Sequence, residues 1–147
     1  MPVYNHTGLV VSDLERSKRF YEQVLGFRVW YEEAPRDEPA ARLLGLTPPL
    51  GIRLTYLVLD GCVLELLHFT APGALAALRR RTMNEHGLTH LSISVDDIHD
   101  TAARAVQCGG EIVEESDLGV ALFVRDPDGQ LLELLPAQYA NTRPPKP

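Results

Sequence analysis

Two stretches of this 147-residue chain are versions of one another. Residues 6–29 read HTGLVVSDLERSKRFYEQVLGFRV, and residues 90–113 read HLSISVDDIHDTAARAVQCGGEIV. Aligned from His6 and His90, a step of 84 residues, Val11 meets Val95, Leu14 meets Ile98, Ser17 meets Thr101, Gly26 meets Gly110 and Val29 meets Val113. A second match lies further on: DGCVLELL from Asp60 and DGQLLELL from Asp128 align Glu65 with Glu133, a step of 68 residues. The first copy is therefore longer by 16 residues, and the excess falls around 35–50. A half-chain of ~70 residues buries too little surface to stand well alone, so the duplication predicts paired modules of one design.

Each copy reads β-α-β-β-β. Val3–Val11 alternates and is rich in β-formers, which predicts a strand. Ser12 and Glu15 have the spacing of a capping box at a helix start. Leu14, Phe20, Tyr21, Val24 and Leu25 then fall near one helical face, and Gly26 is placed to end the helix. Phe27–Glu33 is the next strand. Residues 34–50 carry four prolines and are expected to form a loop or lid with a helical turn at Ala40–Leu44. Gly51–Leu59 and Cys62–Thr70 read as a hairpin turned by Asp60-Gly61. A short helix is expected within Ala71–Arg81. The second copy runs as strand Leu88–Val95, a helix capped by Asp96 or Asp97 and ended at Gly109-Gly110, and strands Glu111–Glu115, Val120–Arg125 and Gln130–Leu135. This gives one domain with module one at 3–70, a linker at 71–87, module two at 88–136 and a tail at 137–147, whose RPPKP end is expected to fray.

Composition narrows the function. A hydrophobic fraction of 45% and a charged fraction of 23% are those of a folded globular chain. The net charge of −6 argues against nucleic acid as partner. No apolar run reaches membrane-spanning length and no signal-peptide pattern opens the chain, so a cytoplasmic protein is expected and Asn5-His6-Thr7 reads as an accidental sequon. Cys62 and Cys108 form no metal-type cluster, which fits a reducing compartment without a structural disulfide.

The chemistry lies in four polar side chains. Strand alternation puts His90, Ser92 and Ser94 on the face opposite Leu91, Ile93 and Val95. It also puts Glu133 in line with Leu131 and Leu135, Glu65 with Val63 and Leu67, and His6 with Gly8 and Val10. A carboxylate in an apolar strand must be paired, metal-bound or protonated, and neither strand offers a nearby Lys or Arg. A single such His is ordinarily just hydrogen-bonded, and a single such Glu can face water. Two of each, related by one repeat, predict a shared metal centre of His6, Glu65, His90 and Glu133. Nitrogen and oxygen donors without thiolate suit Zn, Ni, Co, Fe or Mn.

The segments HTGLVVSDLERSKRFYEQVLGF, LELL, HLSISVDDI and RDPDGQLLELL resemble the vicinal oxygen chelate superfamily, which includes glyoxalase I, methylmalonyl-CoA epimerase, extradiol dioxygenases and bleomycin-resistance proteins. The resemblance spans about residues 3–136. It implies an α+β fold in which two β-α-β-β-β modules form an open curved sheet around a metal-binding cavity, with the ligand places at His6, Glu65, His90 and Glu133. It also implies a divalent-metal-dependent isomerase, lyase or epimerase that moves a proton next to a carbonyl. Glu133 is the expected ligand and base, with Glu65 as the alternative base. The other expectations are an Fe(II) extradiol-type dioxygenase and, more weakly, a metal-free small-molecule binding protein. The implied partners are a small carbonyl or thioester substrate and a second copy of the chain as a homodimer. Asn84 is expected to touch substrate, and Arg42 to cover it. Arg79-Arg80-Arg81 reads as a solvated helix end or, less readily, as a grip on an anionic substrate.

Overall fold

The turn at Asp60-Gly61 is the simplest junction in the molecule. Asp60 (φ 45°) and Gly61 (φ 77°) both take left-handed backbone, which lets a two-residue turn match the right-handed twist of its strands. It joins β3 (Ile52–Leu59) to β4 (Cys62–Phe69), pairing Leu59 with Cys62 and Tyr56 with Glu65. In this computed structural model, which describes residues 1–71 and 73–140, that hairpin is the centre of the first of two four-stranded sheets.

The first sheet has the order β1-β4-β3-β2, with β1 (Thr7–Val10) parallel to β4 and β2 (Arg28–Glu33) antiparallel to β3. Helix α1 (Leu14–Leu25) connects β1 to β2. Its cap is Asp13, whose carboxylate accepts from the Arg16 backbone N–H at 2.9 Å, one residue later than the predicted capping box; Ser12 Oγ instead accepts from the Arg16 guanidinium at 2.8 Å. Gly26 ends the helix as expected. Phe20, Tyr21 and Val24 on α1 and Leu57, Leu64 and Leu66 on the strands are buried. Each such fully buried large side chain contributes ~1.5–3 kcal/mol over leaving it exposed. Lys18 ties the helix to the sheet through Glu32 at 2.8 Å, and Glu32 also accepts from the buried Thr55 hydroxyl at 3.1 Å.

The proline-rich insertion is more ordered than its sequence suggests. It contains α2 (Asp37–Leu44), which starts three residues before the predicted turn. Pro39 sits in the first turn, where a missing N–H costs nothing. The Asp37 carboxylate closes the segment by accepting from the backbone N–H groups of Leu50 and Gly51 at 3.1 and 3.0 Å. Ala41 and Leu50 bury against Ile52, Leu54 and Phe69, with Tyr56 and Leu67 partly buried on the same cluster. By strand alternation these residues share the sheet face that carries Glu65.

The second sheet repeats the plan in the order β5-β8-β7-β6, with β5 (His90–Val95), β6 (Glu111–Ile112), β7 (Leu122–Arg125) and β8 (Leu131–Pro136). Helix α3 (Ile98–Gln107) is capped by Asp97 and buries Ile98, Thr101, Ala102 and Ala105; Leu122, Val124, Leu132 and Leu134 are buried in the strands beside it. Strand β6 is shorter than predicted because Ser116 diverts the chain into a 3₁₀ turn (Glu114–Ser116), its hydroxyl donating to Val113 O and accepting from Phe123 N. The second hairpin also differs from the first. Five residues connect β7 to β8, held by Asp126 Oδ1 accepting from the N–H groups of Asp128 and Gln130. The predicted strands are trimmed at several ends, Val3–Tyr4 and Leu88–Thr89 lying outside β1 and β5.

The described residues of Ala71–Arg81 contain no helix, which corrects the expectation for the linker. Arg79 pairs with Glu85, Arg80 with Glu111, and Arg81 donates to the carbonyls of Glu85, His86 and Leu88. Arg79 and Arg80 are exposed and paired with carboxylates, and no helix end carries them. The RPPKP end lies outside the described residues. Contacts group the chain into two compact units, Met1–Glu22 with Gly26–Ala76, and Gln23–Leu25 with Ala77–Pro147. Among the described residues no helix is long and apolar enough to cross a membrane.

Candidate metal centre

Glu65 sits mid-strand on β4, 8% exposed and flanked by Gly8 of β1 and Tyr56 of β3. Both of its oxygens are engaged. Oε1 accepts a 2.6 Å hydrogen bond from the Tyr56 hydroxyl, and Oε2 lies 3.2 Å from His6 Nε2. His6 Nδ1 lies 2.6 Å from Asn5 Oδ1. An amide oxygen only accepts, so Nδ1 donates to it and Nε2 is the ring nitrogen that faces the carboxylate. The Tyr56 ring meets His6 edge-on at 5.8 Å and lies against Tyr31 at 5.9 Å. Burial and the adjoining Glu65 carboxylate push the Tyr56 phenol well above its ordinary range, so it stays a donor at any working pH.

The second unit repeats the arrangement. Glu133 of β8 is flanked by Ser92 of β5 and Phe123 of β7. Glu133 Oε2 accepts from Ser92 Oγ at 2.6 Å and lies 3.6 Å from His90 Nε2. His90 Nδ1 is taken by Thr89 Oγ1 at 2.9 Å, and its ring meets Phe123 edge-on at 5.3 Å. Glu133 is less enclosed than Glu65, with its side chain 25% exposed against 10%. Among the described residues Oε1 of Glu133 has no hydrogen-bond partner.

Each unit thus offers one imidazole nitrogen and one carboxylate, with the far ring nitrogen fixed. That donor set fits a borderline divalent cation such as Zn, Ni, Co, Fe or Mn. Among the described residues no group of three or more His, Cys, Asp or Glu converges on one point. The two predicted substrate residues stand on a loop and on α2. Asn84 is in the 82–88 loop, its Oδ1 accepting from Thr82 Oγ1 at 2.7 Å. Arg42 is in the last turn of α2, lining a cleft with Arg36, Asp37, Leu43, Leu46 and Pro48. His68 Nδ1 lies 3.2 Å from the Val11 carbonyl oxygen, and His99 Nε2 lies 2.9 Å from Asp117 Oδ2. Asn5 and the pairing of Tyr56 and Ser92 with the glutamates went unnoticed in the sequence. The alternation of β5 puts Ser92 on the face of His90 and names no partner for it.

Residues 3–134 match the Glyoxalase/Bleomycin resistance protein/Dioxygenase superfamily. The chain belongs to that superfamily. A lactoylglutathione lyase of Neisseria meningitidis is 31% identical over 135 residues, covering 88% of this chain and 87% of that one. The trypanothione-dependent glyoxalase I of Leishmania major superposes with a TM-score of 0.67 at 26% identity, covering 94% of this chain and 88% of that one. A glyoxalase family protein of Bacillus cereus superposes with a TM-score of 0.75 at 23% identity, covering 89% and 91%. The paired modules expected from the repeat are therefore those of the superfamily, and the chain is glyoxalase-like.

Proposed function

We propose that this chain is a divalent-metal-dependent lyase or isomerase of the lactoylglutathione lyase kind, acting in the cytoplasm on a small thiol adduct or thioester with a second copy of the chain as partner. His6, Glu65, His90 and Glu133 would hold the cation. When bound, such a cation supplies Lewis-acid polarisation of a substrate carbonyl.

The reading rests on the unequal state of the two carboxylates. Glu65 is buried with both oxygens occupied, which suits a fixed ligand. Glu133 has Oε2 held by Ser92 and 3.6 Å from His90 Nε2 while Oε1 is open, which suits a base. In the proposed step Oε1 takes the proton from the carbon beside the carbonyl, breaking that C–H bond. It then returns that proton to the neighbouring carbon while the hydroxyl proton passes to the former carbonyl oxygen, so that a hydroxy-carbonyl pair exchanges oxidation level with no outside redox partner. Ser92 keeps the carboxylate from rotating between the two half-steps. The Tyr56 hydroxyl holds Glu65 in the same manner but leaves it no open oxygen.

The test is turnover of the glutathione–methylglyoxal adduct to lactoylglutathione by the purified chain, loaded in turn with Zn, Ni, Co, Mn and Fe(II). Thioester absorbance should rise with at least one metal and fall away with chelator. Iron-dependent oxygen uptake on a catechol with no thioester formed would overturn the reading. Tight binding of small molecules without metal or turnover would also overturn it.

A further inference from the structure

The two half-centres are built to one plan but draw one part from different strands. In each unit the glutamate's strand lies between a parallel neighbour and a hairpin neighbour. The parallel neighbour contributes Gly8 beside Glu65 and Ser92 beside Glu133. The hairpin neighbour contributes Tyr56 beside Glu65 and Phe123 beside Glu133. The ring is common to both, edge-on to the histidine at 5.8 Å in one unit and 5.3 Å in the other. The hydroxyl is not. It comes from the hairpin side in unit one and from the parallel side in unit two; it reaches the carboxylate at 2.6 Å in both, on the oxygen away from His6 in unit one and on the oxygen nearer His90 in unit two. Where Tyr56 supplies it, position 8 has no side chain, and a Cβ there would lie 3.5 Å from Glu65 Oε2 and 3.3 Å from Leu67 Cδ1.

We propose that Tyr56 and Ser92 are corresponding positioning residues, each giving one hydroxyl hydrogen bond that fixes the carboxylate plane of its glutamate toward the cation whichever oxygen it holds, and that this hydroxyl can be supplied from either flanking strand. The inference rests on the reading of Glu65 and Glu133 as ligands. A carboxylate in a strand can turn about its side-chain torsions, and a donor fixed on a neighbouring strand removes that freedom before the ion arrives. Tyr56 also lies 3.4 Å from Glu33 Oε1, but its single proton goes to the closer Glu65. Partners of this kind are typically worth about 10–100-fold in metal affinity.

The experiment measures Zn(II) and Co(II) affinity of the full chain by competition with a chromogenic chelator, with no substrate present. Tyr56→Phe and Ser92→Ala should each weaken binding about 10-fold or more. Moving the hydroxyl across should restore it: Gly8→Ser on the Tyr56→Phe background, and Phe123→Tyr on a Ser92→Gly background. A merely structural role predicts no such rescue. Wild-type affinity in both Tyr56→Phe and Ser92→Ala would overturn the proposal. So would failure of the Ser92→Gly/Phe123→Tyr chain to regain affinity while melting like wild type. Glu65→Ala and Glu133→Ala are the controls on the underlying reading. If they bind metal normally, the ligand assignment itself falls; if they abolish binding while the hydroxyl variants do not change it, only this inference falls.

Discussion

At the scale of single residues, two glutamates in equivalent places have been given different surroundings. A residue with both oxygens occupied can bind an ion but has no lone pair aimed at substrate. A residue with one oxygen pinned and one open can do both. Glu133→Gln keeps the shape and the Ser92 contact but cannot take a proton at the open position. Its kcat should fall ~10²–10⁴-fold, the usual worth of a positioned base, while thermal unfolding stays close to wild type. Steady-state kinetics beside a calorimetric melt check both halves. An active Glu133→Gln would remove the assignment of the base. Asn5 belongs to the same scale. In the sequence it reads only as part of a sequon, and in the structure its Oδ1 lies 2.6 Å from His6 Nδ1.

At the scale of elements, the duplicated strands and helices were legible because alternation and helical spacing survive in both copies. The exceptions each have a local cause. Pro39 read as a breaker but stands in the first turn of α2, where it is tolerated. The expected helix after Ala71 is absent among the described residues, where Arg79, Arg80 and Arg81 reach Glu85, Glu111 and backbone carbonyls. Tyr56 and Ser92 were illegible as a pair because one faces its glutamate across the β3–β4 hairpin and the other across the parallel β5–β8 pair, whose register no tight turn fixes.

Helix α2 is the element on which Tyr56 leans, through the cluster of Ala41, Leu50, Ile52, Leu54 and Phe69. Leu50 is fully buried, so Leu50→Ala should cost about 2–5 kcal/mol by leaving a cavity, read as a lowered midpoint in urea. The 79–88 loop gives a prediction in pH. The Arg79 guanidinium and the Thr82 backbone N–H lower the Glu85 carboxylate from its usual 4.5 to about 2. A depressed carboxylate stabilises its surroundings above its unfolded value and loses that effect as pH falls through the folded one. Thr82 amide exchange, followed by NMR and corrected for intrinsic rates, should therefore gain protection above about pH 4.5 and lose it toward pH 2. Glu85→Gln should remove that pH dependence.

At the scale of the whole molecule, the proposal is that two units supply one cation with two ligands each. Two ligands alone are a poor hold for a borderline dication, which ordinarily takes four donors or three with an open position. One shared set therefore predicts one dication per chain at saturation, by elemental analysis. It also predicts that His6→Ala/Glu65→Ala and His90→Ala/Glu133→Ala each empty the site almost completely. Independent half-sites would instead lose only half the metal in either variant. Because metal binds the folded chain, saturating wild type at 100 times Kd should add about 2.7 kcal/mol of stability, and neither double variant should gain it. Mixing the two double variants carries the test to the partner. If two copies share each set, a mixed dimer rebuilds one site with all four native ligands and spoils the other, and metal binding returns in part. If one chain supplies all four ligands, every site in the mixture lacks two of them and no binding returns.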